Sequence, residues 1–122
     1  MPAKHILLIE DERPVANMLG IALRSEGYDV DLAETAADAR KRLDSLRYDL
    51  VIADWRLPDG DGLDMADLAA DNGSKTMLIS GYLFQVPAER TVRHELLMKP
   101  MRPQELIDAV ERMIGKAPGR NP

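Results

Sequence analysis

Polar residues of a reactive kind follow four of the apolar stretches in this chain. Glu10-Asp11-Glu12 follows Ile6-Leu7-Leu8-Ile9, Asp54 follows Leu50-Val51-Ile52-Ala53, Ser80 follows Met77-Leu78-Ile79, and Lys99 follows Leu96-Leu97-Met98. Carboxylates brought together from two such stretches repel one another or rise in pKa unless a cation lies between them. Oxygen ligands with no His or Cys beside them favour a hard ion, and a few carboxylates completed by water suit Mg²⁺ better than a closed Ca²⁺ cage. A metal ion, the ammonium of Lys99 and the hydroxyl of Ser80 around one accessible carboxylate would make a receptor for a phosphoryl group. Asp54 is then the candidate nucleophile, because carboxylates attack phosphorus to give aspartyl phosphates while fixed cations neutralise the developing charge. Ser80 would donate a hydrogen bond to the group once it arrives.

For these residues to meet, the apolar stretches must be strands of one parallel sheet. Ile6–Ile9 is a continuous apolar run, as expected of a strand buried on both faces. From Pro14 the period changes, and Val15, Met18, Leu19, Ala22 and Leu23 share one face of a helix that Pro14 starts and Gly27 stops. Tyr28–Leu32 reads as a second strand. Thr35 with Asp38 resembles a capping box for a helix turning Ala36, Ala39, Leu43 and Leu46 inward. Asp49–Asp54 is a third strand, followed by the turn-forming Leu57-Pro58-Asp59-Gly60-Asp61-Gly62 and a helix over residues 63–71. Thr76–Ile79 and Leu96–Met98 give a fourth and a fifth strand. Between them Pro87 and a charged stretch leave room for a short helix at most. The last helix starts at Pro103, carries Leu106, Ile107, Val110, Met113 and Ile114 as its apolar stripe, and stops at Gly115. Parallel strands require crossover connections, so the class is α/β with helices on both faces of the sheet. Ligands of such sheets bind beyond the carboxyl ends of the strands.

Each polar residue also has a plainer reading. Asp11 and Glu12 suit the positive end of a helix, Asp54 and Ser80 suit turns, and Lys99 can be a solvated lysine. Singly these are the better readings. Together they require four coincidences at the same edge of one sheet.

Composition narrows the class further. A chain of 122 residues, 45% hydrophobic and 30% charged, fits one core and excludes two independent domains. A net charge of −5 argues against a general electrostatic grip on nucleic acid or an anionic membrane, which points to proteins or small molecules as partners. The absence of cysteine removes disulfides, thiolate zinc sites and thiol nucleophiles. The run Ile6–Ile9 is far short of the roughly 20 residues of a spanning helix, and the start of the chain lacks a basic segment followed by a hydrophobic one. A cytoplasmic protein is expected.

With these residues in place, the sequence resembles the receiver domain of two-component response regulators over nearly its whole length. The resemblance rests on Ile6 to Glu12, on Asp54 with Leu57 to Gly62, on Ser80-Gly81 and on Lys99-Pro100. It implies a flavodoxin-like, doubly wound five-stranded parallel sheet in the order 2-1-3-4-5, with a receiver domain over residues 1–116 and a flexible tail over 117–122. By the same resemblance Asp54, Ser80 and Lys99 are the catalytic residues, and Mg²⁺ is held by Glu10, Asp11, Asp54 and the backbone carbonyl of Arg56. The family accepts a phosphoryl group from the phosphohistidine of a sensor histidine kinase or histidine phosphotransfer protein, catalysing its own phosphorylation and slow dephosphorylation rather than turning over a substrate. The partners implied are that kinase and a downstream protein target, with neither nucleic acid nor membrane, and a weak homodimer is compatible with the fold.

Three features depart from the family pattern. The position three before Lys99, usually aromatic, is Leu96, so the usual aromatic switch lacks its ring, and Tyr82 is the residue placed to take over some of its coupling. Only 18 residues separate Ser80 from Lys99, which leaves a fourth helix short, irregular or absent. Arg56 stands beside the phosphorylation site. Two other functions compete: a phosphorylation-independent pseudo-receiver, and an aspartate-nucleophile phosphatase of the haloacid dehalogenase type. The latter needs a second Asp where this chain has Arg56. No helix-turn-helix or enzymatic output segment is expected after residue 116.

Overall fold

A computed structural model describes residues 4–117. Five strands alternate with helices: β1 (His5–Ile9), α1 (Arg13–Ser25), β2 (Asp29–Ala33), α2 (Ala36–Ser45), β3 (Leu50–Asp54), α3 (Gly62–Asp71), β4 (Lys75–Ser80), β5 (Glu95–Met98) and α4 (Pro103–Ile114). All pairings within the main sheet are parallel, and its order is β2-β1-β3-β4-β5. This is the flavodoxin-like order that the resemblance implies.

Strands of such a sheet are buried on both faces, so their side chains alternate between two cores. Ile6 and Leu8 of β1 join Leu50, Ile52, Met77 and Ile79 under α1 and α4, where Leu19, Leu23, Leu106 and Val110 close the layer. Leu7, Ile9, Val51 and Ala53 point the other way, toward Ala39 and Leu43 of α2 and Met65 and Ala69 of α3. Local chemistry fixes the helix ends. Thr35 Oγ1 accepts from the Asp38 amide at 3.0 Å, Asp61 caps α3 by accepting from the Leu63 amide at 2.7 Å, and Gly115 ends α4 at φ +80°.

The elements lie within a residue or two of where the pattern puts them, with three corrections. Met18, expected in the core, is 45% exposed, because α1 turns Ala16, Leu19, Gly20 and Leu23 inward. Leu46 follows the end of α2 and is also exposed. No regular fourth helix forms; 3₁₀ turns at Leu83–Gln85 and Ala88–Arg90 stand in its place, as the short, Pro87-containing connection predicts. Ala117, expected to open the tail, is buried in the core beneath α1 and α4, and residues 118–122 of that tail lie outside the described residues.

What replaces the missing helix is held largely by polar contacts to α3. Arg90 pairs with Asp64 and Asp67 at 3.0 and 2.8 Å, and Arg93 pairs with Asp71 at 2.7 Å. The buried His94 ring joins Thr76 Oγ1 at 2.5 Å to Asp67 Oδ1 at 2.7 Å. Desolvation works to raise the Asp67 carboxyl, but its hydrogen bonds from Arg90 and His94 outweigh this and hold it below the usual range.

Candidate functional site

The register brings the polar strand ends together. β1 and β3 are neighbours, with Ile9 opposite Ala53, so the residues that follow, Glu10 and Asp54, emerge side by side at the carboxyl edge. β4 and β5 continue the row, with Ser80 opposite Met98, and Lys99 follows at once. The arrangement depends on Gly62, the first residue of α3. Its amide donates to the Trp55 carbonyl at 2.7 Å, and a Cβ there would lie 1.7 Å from the Asp54 carbonyl oxygen. Only glycine lets α3 begin this close to the backbone of β3.

Carboxylate oxygens of Glu10, Asp11 and Asp54 lie within 4.8 Å of one another. Lys99 Nζ reaches them from the far side, 2.5 Å from Glu10 Oε1 and 3.0 Å from Asp54 Oδ2. Glu10 is fully buried and Asp54 is 8% exposed. Burial pushes the Glu10 carboxyl up to about 7; the Lys99 contact opposes this, and the charge of Asp54 adds to it. For Lys99, desolvation acts downward, but its hydrogen bonds to Glu10 and Asp54 prevail and keep the ammonium above its ordinary value. Of the three carboxylates, Glu10 and Asp54 share the ammonium of Lys99. The all-oxygen donor set of the three fits a hard divalent ion such as Mg²⁺. Among the described residues this is the one group of three acidic or His side chains placed to hold a metal.

A cavity of about 650 Å³ opens over these groups. Asp11, Asp54, Ser80 and Lys99 line its polar side, and Val15, Met18, Leu19 and Met101 line the other. Met18, exposed on α1, is thus one of the cavity's lining residues. Ser80 Oγ accepts a hydrogen bond from the Tyr82 amide at 2.9 Å.

A model of the response regulator receiver domain matches residues 6–111. The chain belongs to the response regulator receiver family. Among curated proteins similar to this receiver, the DNA-binding response regulator MtrA of Mycobacterium tuberculosis is 32% identical over 111 residues, which are 88% of this chain and 49% of that protein. The chain thus spans about half the length of the curated MtrA relatives it matches. Solved receivers superpose closely. The response regulator TrrA of Thermotoga maritima, in complex with Mg²⁺-BeF, is 30% identical with a TM-score of 0.81 over 90% of this chain and 98% of that one. The receiver domain of sensor histidine kinase PA1611 of Pseudomonas aeruginosa, with a magnesium ion coordinated in its active site cleft, is 26% identical with a TM-score of 0.82 over 94% and 100% of the two chains.

All the side chains singled out in the sequence thus stand at one edge of this receiver. The contacts of the Arg56 side chain were not legible in the sequence, which places it only beside Asp54. Its guanidinium stacks over the Trp55 and Tyr82 rings and donates to Gln85 Oε1 at 2.6 Å. Trp55 is adjacent in sequence and was a visible signal. Tyr82 and Gln85 reach Arg56 only through the 3₁₀ turn that replaces a helix.

Proposed function

We propose that this receiver accepts a phosphoryl group on Asp54 from a phosphohistidine partner, either a sensor histidine kinase or a histidine phosphotransfer protein, and signals through the resulting change at its surface. The observation that carries this reading is the convergence of three carboxylates, one ammonium and one hydroxyl around a cavity at the carboxyl edge of the sheet. An Asp54 carboxylate oxygen attacks phosphorus, and the bond from phosphorus to the donor imidazole nitrogen breaks, its electron pair remaining on the ring. Lys99, already 3.0 Å from Asp54 Oδ2, offers positive charge to the transferred oxygens, and Ser80 offers its hydroxyl. Glu10, Asp11, Asp54 and the Arg56 carbonyl would hold Mg²⁺, which supplies further neutralising charge when bound. Water attack on the same phosphorus later restores the carboxylate and releases inorganic phosphate. A cytoplasmic location and a downstream protein target accompany this reading, and the acidic net charge gives the domain itself no general affinity for nucleic acid.

The test uses acetyl phosphate as donor and the intact mass as readout, with Trp55 fluorescence reporting Mg²⁺. The wild type is expected to gain one phosphoryl group only when Mg²⁺ is present, and Asp54→Ala none. A wild type that binds no Mg²⁺ and gains no adduct would return the protein to the pseudo-receiver class.

A further inference from the structure

Arg56 stands two residues after Asp54, and Tyr82 two residues after Ser80. The Arg56 guanidinium is 4.9 Å from the Trp55 ring centroid and 4.8 Å from that of Tyr82, both inside the roughly 6 Å at which a ring face attracts a cation. It also donates to Gln85 at 2.6 Å. The Gln85 amide in turn donates to the Tyr82 carbonyl at 2.9 Å, closing the 3₁₀ turn. On the other side, the Tyr82 amide donates to Ser80 Oγ. Apart from the Trp55 contact, each of these ties meets the turn at Tyr82 or Gln85. Apolar packing fixes only part of the same stretch: Val86 enters a small core with Leu63 and Leu78 and Leu83 packs partly buried against it, while Tyr82 is 54% exposed and Phe84 93%.

We propose that Arg56, Tyr82 and Gln85 form a latch that holds the Leu83–Gln85 turn while Asp54 is bare and releases it when Asp54 is phosphorylated, so that the state of the site is read at Tyr82 and Phe84. The proposal rests on the phosphoacceptor reading and deepens it. A phosphoryl group adds about −1.5 to −2 charge and three strong acceptor oxygens. A guanidinium two residues away is drawn to it, because a charge-assisted, bidentate contact outweighs attraction to two neutral rings. Ser80, turning its hydroxyl toward the same group, gives up the Tyr82 amide. The two movements free the same residue from both sides. Leu96 offers no ring for an aromatic switch on β5, whereas the ring of Tyr82 is already engaged with the loop that carries the site.

Amide hydrogen exchange over residues 82–86 tests the latch, with Mg²⁺ and beryllofluoride as a stable stand-in for the phosphoryl group. The bound-fluorine NMR signal reports occupancy of Asp54 independently. In the wild type, exchange at Gln85 and Val86 is expected to rise about tenfold when beryllofluoride binds, the scale set by losing contacts of this kind. Tyr82→Ala starts at the fast rate and responds little, Gln85→Ala starts at an intermediate rate, and Tyr82→Phe follows the wild type because it keeps the ring face. Equal exchange in bare wild type and bare Tyr82→Ala would overturn the latch, as would bound beryllofluoride that leaves residues 82–86 of the wild type unchanged. A wild type without a bound-fluorine signal defeats the phosphoacceptor reading itself, and the release step falls with it.

Discussion

Glu10 is held where its proton is easily exchanged near neutral pH. Its carboxyl rises from 4.5 to about 7, chiefly through burial. Between those values the folded chain keeps a proton that the unfolded chain has lost. In metal-free protein, the contribution of Glu10 to stability is therefore complete below about pH 4.5 and is lost as pH rises through about 7. Urea titrations across this window should show that decline in the wild type and a flatter curve in Glu10→Gln. Mg²⁺ affinity should move in the opposite sense and strengthen as pH rises, because the ligand must be deprotonated; calorimetric titrations at pH 6 and pH 8 would check it. The types and spacing of Glu10, Asp11, Asp54, Ser80 and Lys99 were legible in the sequence because each stands at a change from apolar to polar. The proton affinity of Glu10 was not, since it depends on complete burial beside one lysine and another carboxylate.

At the scale of elements, two contacts decide how the edge of the sheet is built. Gly62 lets α3 start against the Asp54 carbonyl, so Gly62→Ala should push the helix away and cost at least about 3 kcal/mol in urea unfolding, the upper end of ordinary overpacking. The segment in place of a fourth helix hangs on the Thr76–His94–Asp67 chain and on the arginine pairs with α3. His94→Ala leaves Thr76 and Asp67 without their shared partner and should cost about 1–3 kcal/mol. Its destabilisation should be accompanied by faster amide exchange over residues 88–94 than over β3. Periodicity located every regular strand and helix, because each has an apolar face with a definite repeat. It gave no account of residues 82–94, whose order comes from side-chain pairs between Arg90, Arg93, His94 and an acidic stripe on α3 that looks in sequence like an ordinary solvated face. The exposure of Met18 was hidden for a related reason, since an apolar residue lining a cavity has the same spacing as one in a core.

For the molecule as a whole, one parallel sheet makes both the core and the site, so binding at the carboxyl edge should be felt as global stability. Mg²⁺ at about one hundred times its dissociation constant should raise the unfolding free energy by about 2.7 kcal/mol in the wild type, with Asp11→Asn giving up most of the gain. A shift in the urea midpoint would measure it. The strand order is a property that no single segment carries; it was implied by the resemblance to receivers and not by any periodicity, and the sheet has that order. The function of the site is decided by which atom receives the phosphoryl group. The most direct measurement is to treat the protein with acetyl phosphate and Mg²⁺, reduce it with borohydride, which converts an aspartyl phosphate to homoserine, and map the product by peptide mass. Conversion at position 54 alone, and only with Mg²⁺, is the predicted result. Conversion at Asp11, Asp59 or Asp61 instead, or none at all, would contradict it.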